Sequence, residues 1–212
     1  PAVAPPLNPW DAQAWTGVSS SGSGVAVSAG VAFAAIGSDT GGSIRFPSAS
    51  CGLVGLKPTY GRVSLHGAFP LANSLDHLGP MTRSVEDAAR LLCVMAGFDA
   101  QDPSSLNAPV PNYLQHLCVR EDGGKPLTGK RIGVDWSYVS DGVDGAVVDV
   151  TRHALDTFTE LGAEIVTIKV PQTARVLAEA WGLTCGVECA RAHSEHFPAR
   201  QDEYGPVLRG LI

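Results

Sequence analysis

The sequence predicts an α/β fold, and three stretches predict it. Residues 131–170 read as strand, helix and strand, the pattern of a βαβ unit. Residues 33–36 form a short apolar run ended by Gly37, and Asp39–Ser43 then makes a tight loop at a strand's carboxyl end, where α/β folds keep their ligands. Residues 84–97 make an amphipathic helix with both ends marked. At 212 residues the chain is long enough for one sizeable domain or two small ones.

Taken in order, Asn8-Pro9-Trp10-Asp11 is a turn signal that leads into a serine-rich loop. Small residues from Ser23 to Gly30 then suit a tightly packed helix, and Phe33–Ile36 a buried strand. Leu53–Lys57 reads as another short strand, stopped by Pro58. Leu65 to Thr82 reads as irregular. The next helix has Ser84 as N-cap, Glu86 and Asp87 in its first turn and Gly97 as the expected C-terminal cap. Its apolar face is Val85, Ala88, Ala89, Leu91, Leu92 and Met95. Phe98 to Lys130 is rich in Pro, Asp, Asn and Gly and reads as a surface connection. The βαβ unit follows: Arg131–Asp135 as strand, Val143–Leu161 as helix stopped by Gly162, and Glu164–Val170 as strand ended by Pro171. Thr173 to His196 reads as a long helix. The domain organisation expected is a single incomplete domain over 1–212, with a core in 1–97, the connection 98–130, and 131–212 as βαβ unit plus helices.

Composition excludes several classes. A net charge of −6 argues against nucleic acid or an anionic membrane as main partner. No apolar stretch suits a bilayer span, and the first residues lack a secretory pattern. Five widely spaced cysteines (51, 93, 118, 185 and 189) suit free thiols in a reducing compartment, so a cytoplasmic location is expected.

The chemistry concentrates between Gly17 and Arg62, which hold ten of the 24 glycines. Glycine lets backbones approach closely and leaves N–H groups unshielded. Ser43 follows Gly41-Gly42, whose successive N–H groups could point at one oxygen, and Asp39 and Arg45 could pair across the loop. For an isolated Thr-Gly-Gly-Ser the plain reading is a solvent-facing turn. A second serine cluster 24 residues earlier, Ser19-Ser20-Ser21, shifts the weight toward a hydroxyl nucleophile.

Rival sites are weaker. Asp76-His77 invites a Ser-His-Asp triad, but the chain has no Gly-x-Ser-x-Gly elbow. Cys185, Cys189 and His193 lie at helical spacing over too long a span for one zinc ion, so a buried stripe is expected. The βαβ unit lacks glycine-rich nucleotide motifs. Trp10, Trp15, Phe69 and Trp181 could line an apolar pocket, although core packing is the expected role of each.

From Asn8 to Gly97 the chain resembles the amidase signature family. The matching pieces are Asn8–Asp11, the Gly17–Ser23 loop, Gly37–Arg45, Cys51–Ser64 and Ser74–Met81, several linked blocks in order. Beyond residue 98 the resemblance rests on the βαβ pattern, Glu188–His193 and Tyr204-Gly205-Pro206. It implies a mixed, twisted β-sheet with helices on both faces, present in part. It also implies amide hydrolysis by a Ser–Ser–Lys triad, with no metal and no organic cofactor. Ser43 would be the nucleophile. Ser19, after a cis peptide, would relay protons between lysine and nucleophile. Thr40, Gly41, Gly42 and Ser43 would supply oxyanion N–H groups, with Ser20, Asp39 and Arg45 in support. Val18 and Ser21 stand where the family usually has glycine.

The family's lysine lies several tens of residues before the serine loop. Here 18 residues precede Ser19 without a lysine, and Lys57 belongs to a different block. The chain starts without methionine and ends without a terminator, which reads as a longer protein cut at both ends. The catalytic lysine is therefore expected outside these residues, and the 212 residues alone are expected to be inactive. The expected partner is a small-molecule amide, with a homodimer left open. Two alternatives stand: the amide-hydrolysing subunit of a tRNA-dependent amidotransferase, and a non-catalytic binding or structural module. His77 stands where that subunit typically has Gln, which favours a stand-alone amidase.

Overall fold

The computed structural model describes residues 4–117, 124–171 and 174–212. The chain divides into two compact units, Pro1–Leu117 with Glu179–Ile212, and Cys118–Ala178.

In the first unit, α1 (Ser21–Ser28) is built from small residues because it must lie close to α2 (Arg45–Ser50). A methyl group on Gly24 would stand 3.2 Å from the Pro47 ring. Pro47 sits in the first turn of α2, where its missing N–H costs nothing. The sheet order is β1-β3-β2, all antiparallel, with β1 Ala34–Ser38, β3 Leu78–Thr82 and β2 Val54–Gly55. Ile36 pairs with Pro80, and Gly55 with Met81.

The central strand β3 corrects the irregular reading of 65–82. Gly79-Pro80 is a strand-breaking signal. Pro80 keeps its acceptor, however, and takes the Leu56 N–H at 3.0 Å. Val27, Ile44, Cys51 and Met81 are buried at the centre of this unit.

The helix α3 (Val85–Met95) begins as the sequence predicts: Ser84 Oγ accepts the Asp87 N–H at 3.1 Å. It ends differently. Ala96 is the C-cap in extended conformation, and the Gly97 N–H donates to Arg62 O. Val85 is exposed and not part of the buried face. The stretch after residue 97 is also more than surface connection. Asp99 accepts from Ser64 Oγ at 2.7 Å and Asp102 from the Leu65 N–H at 2.7 Å, which tie it to the loop before β3.

In the second unit, β4 (Arg131–Val134) and β5 (Glu164–Thr167) pair in parallel through α5 (Gly145–Glu160), the expected βαβ unit. A short α4 (Trp136–Ser140), absent from the sequence reading, starts on Asp135. Asp135 accepts from Ser137 and from the Val170 N–H and faces Lys169. Those bonds hold its carboxyl well below the usual carboxylate range.

Parallel and antiparallel pairings thus occur in separate sheets among the described residues. The helix α6 (Ala174–Ala192) is shorter than predicted, and α7 (Pro206–Leu211) closes the chain. No described helix is long and apolar enough to cross a membrane.

Candidate active site

Two loops meet at the carboxyl end of β1. The first enters through Gly17, whose φ of +76° suits glycine and whose Cα faces the Pro47 backbone. The peptide between Val18 and Ser19 is cis. Ser20 then clamps β1: its Oγ donates to Ser38 O and accepts the Ser38 N–H, both at 3.1 Å. The Ser20 N–H donates to Ser43 O at 3.3 Å, so backbone joins the two serine loops.

The second loop is organised by Asp39, which is only 1% exposed. Its Oδ1 accepts the Gly42 N–H at 2.7 Å and its Oδ2 the Ile44 N–H at 3.2 Å. Arg45 closes a two-pronged pair, Nε to Oδ2 and a terminal nitrogen to Oδ1, each at 3.0 Å. Burial opposes the charge, but the Arg45 pair and the Gly42 and Ile44 N–H groups outweigh it and hold the carboxyl below its ordinary value. The same pair raises Arg45. A carboxylate so engaged is a loop anchor and not a base.

Thr40 is held at two atoms. Its hydroxyl donates to Asp76 Oδ1 at 2.5 Å. Its carbonyl accepts the Trp181 indole N–H at 3.0 Å. The Trp181 ring also lies on Gly41, where a methyl group would stand 2.7 Å away.

These bonds decide which N–H groups face no acceptor. Of the four named from sequence, Gly42 is turned to Asp39, whereas Thr40, Gly41 and Ser43 donate to nothing among the described residues. Ser19, Ser38, Thr40, Phe69, Asp76 and His77 are among the walls of a cavity of about 90 Å³. A cleft of about 600 Å³ shares Leu65, Ala68, Pro70 and Asn73 with it. The Ser19 and Ser43 hydroxyls make no direct hydrogen bond to one another, and their loops are joined through the backbone.

Asp76-His77 has a different role from a charge relay. Asp76 accepts from Thr40, Leu71 and Ala72, while His77 Nδ1 faces Leu75 O at 2.7 Å. Cys185 and Cys189 are buried and free, as a stripe should be, and His193 Nδ1 faces the Tyr204 hydroxyl at 2.9 Å. No group of three metal-binding side chains occurs among the described residues. Cys118 lies outside them.

The aromatic residues depart from the core-packing reading. Trp10, Trp15, Phe69 and Trp181 all keep substantial exposure. Phe69 and Trp181 flank the serine loops, and Trp10 donates to Cys51 O at 2.8 Å. Sequence reasoning assigned Asp76 and Trp181 no part in shaping the oxyanion loop. Residues 36 and 141 positions distant from Thr40 carry no local signal.

In this α/β chain a buried carboxylate braces the Gly-Gly-Ser loop, and a backbone hydrogen bond joins that loop to a second serine loop. The family described as Amidase matches residues 1–202, and the chain belongs to it. The chain is 48% identical over its whole length to AmiD of Mycobacterium tuberculosis and spans 43% of that protein. Among solved structures, a glutamyl-tRNA(Gln) amidotransferase subunit from Thermotoga maritima superposes with a TM-score of 0.78 at 34% identity, covering 94% of this chain and 42% of that one. The native peptide amidase of Stenotrophomonas maltophilia gives 0.78 at 31% identity, covering 97% and 45%.

Proposed function

We propose that this chain carries the nucleophile and oxyanion site of an enzyme that hydrolyses carbon–nitrogen amide bonds through an acyl-enzyme on Ser43. The observation that supports it most is the set of three N–H groups, of Thr40, Gly41 and Ser43, that the Asp39 and Thr40 anchors leave without acceptors. Ser43 Oγ attacks the amide carbonyl, and the charge that develops on oxygen meets these donors. Ser19 takes the Ser43 proton and passes its own to a neutral lysine. The proton returns through Ser19 to the leaving amine, and water then cleaves the ester by the same relay. Neither a metal nor an organic cofactor enters.

The base is a lysine outside these 212 residues. Lys57 is the candidate within them. Burial lowers its pKa, with Arg45 adding to the effect and Asp39 opposing it. Yet its Nζ donates to Pro58 O at 2.7 Å and to neither serine. Arginine cannot serve as a base, so Lys57→Arg in the full-length protein is predicted to keep turnover. Loss of turnover with the fold intact would make Lys57 the base. The 212 residues alone are predicted to lack an enzymatic rate.

The direct test is labelling. A fluorophosphonate probe should modify Ser43 of the full-length protein, and Ser19→Ala should cut turnover by about 100-fold or more with substrate affinity nearly kept. Labelling of another serine would overturn the assignment. A second reading, the amide-hydrolysing subunit of an amidotransferase, draws on the Thermotoga maritima likeness. It requires partner subunits, and a purified full-length protein that hydrolyses simple amides unaided would exclude that requirement.

A further inference from the structure

We infer that Trp181 is a positioning residue for the oxyanion site: its indole N–H fixes the Thr40–Gly41 peptide so that the Gly41 N–H faces the carbonyl under attack. The inference rests on the reading of Ser43 as nucleophile. A trans peptide carries its C=O and N–H on opposite sides. The Thr40–Gly41 bond is trans, since the only cis bonds among the described residues are Val18–Ser19 and Phe197–Pro198. Holding Thr40 O at 3.0 Å on the Trp181 side therefore points the Gly41 N–H the other way.

One bond to a carbonyl would leave the plane free to rock. Asp76 removes that freedom by holding the Thr40 hydroxyl at 2.5 Å. The Trp181 ring then presses on Gly41, leaving no room for a side chain there. Trp181 is itself firmly based. On the same helix, Glu188 accepts from the Ser74 N–H at 3.0 Å and the Ser74 hydroxyl at 2.5 Å, and Cys185 and Cys189 are buried. The same loop carries Asp76, so α6 and the 72–77 loop grip Thr40 from two directions.

The test replaces Trp181 in the full-length protein by β-(3-benzothienyl)alanine, which keeps the fused ring and removes only the N–H donor. Trp181→Phe is the simpler companion. Both are assayed on one aryl amide that the wild type turns over. A misaligned oxyanion donor should lower kcat by roughly 10-fold, a fraction of the 10²–10³-fold cost of deleting one. KM and Tm should stay near wild type, and the Ki of a trifluoromethyl ketone that forms the tetrahedral adduct should rise in step with the loss in kcat/KM. An unchanged kcat in the benzothienyl variant would overturn the inference, as would a change confined to KM or a fall in activity that only follows Tm. Fluorophosphonate labelling of wild-type Ser43 separates the two readings. If Ser43 is unlabelled, the amidase reading fails and this inference with it. If Ser43 is labelled and both variants keep kcat, only the role of Trp181 fails.

Discussion

Asp39 takes part in more bonds than any other side chain near the serine loops, and its removal should be felt first in stability. Asp39→Asn keeps the shape but turns one acceptor into a donor facing Gly42 or Arg45. Because Arg45 is half exposed, water softens the loss; about 2 kcal/mol is expected. The pH dependence has a definite sign. A carboxyl held below its unfolded value stabilises the fold fully above the ordinary value near 4, and that contribution fades as pH falls through the lower folded value. The gap in Tm between wild type and Asp39→Asn should be flat at neutral pH and shrink below about pH 4. A gap that persists unchanged into acid would mean that Asp39 is not held as a charged anchor. The loop glycines divide by what they touch. A methyl on Gly17 would meet the Pro47 backbone at 2.4 Å, which cannot yield, so Gly17→Ala should impair folding. On Gly41 the nearest atoms are those of the Trp181 ring and not backbone, so Gly41→Ala should fold and lose activity. Soluble expression and kcat, measured on both variants, read the difference.

At the scale of elements, Ser84 gives a clean check on the sequence reading. Its hydroxyl satisfies the Asp87 N–H, and Ser84→Ala should cost about 1 kcal/mol, visible as a lower denaturant midpoint with an unchanged slope. An unchanged midpoint would mean that the cap adds nothing. This helix was legible because its signals are local: a hydroxyl, two acids and a periodic apolar face. The βαβ unit was legible for the same reason. β3 was not, because Gly79 and Pro80 argue locally against a strand, and only pairing with β1 and β2 overrides them. The candidate site divides likewise. Asp39 and Arg45 could be paired from sequence because six residues separate them. The Gly42 N–H was assigned to the oxyanion because sequence does not show which way a peptide faces, and the carboxylate three residues before it takes that donor.

The described residues of this chain, which spans 43% of AmiD, present much apolar surface. β1 is an edge strand, with Phe33 at 89% and Val31 at 83% exposure just before it, and Val94 on α3 is 83% exposed. Such surface favours association. The 212 residues on their own should therefore elute from a sizing column as oligomers that grow with concentration; a clean monomer at high concentration would contradict this. The proposed catalysis depends on one event, the passage of an acyl group through Ser43. Rapid quenching of the full-length protein during turnover of an activated amide, followed by peptide mass spectrometry, tests it most directly. The prediction is an acyl mass added to the peptide containing Ser43, with neither adduct nor turnover in Ser43→Ala. An adduct on another residue, or turnover that survives Ser43→Ala, would contradict it.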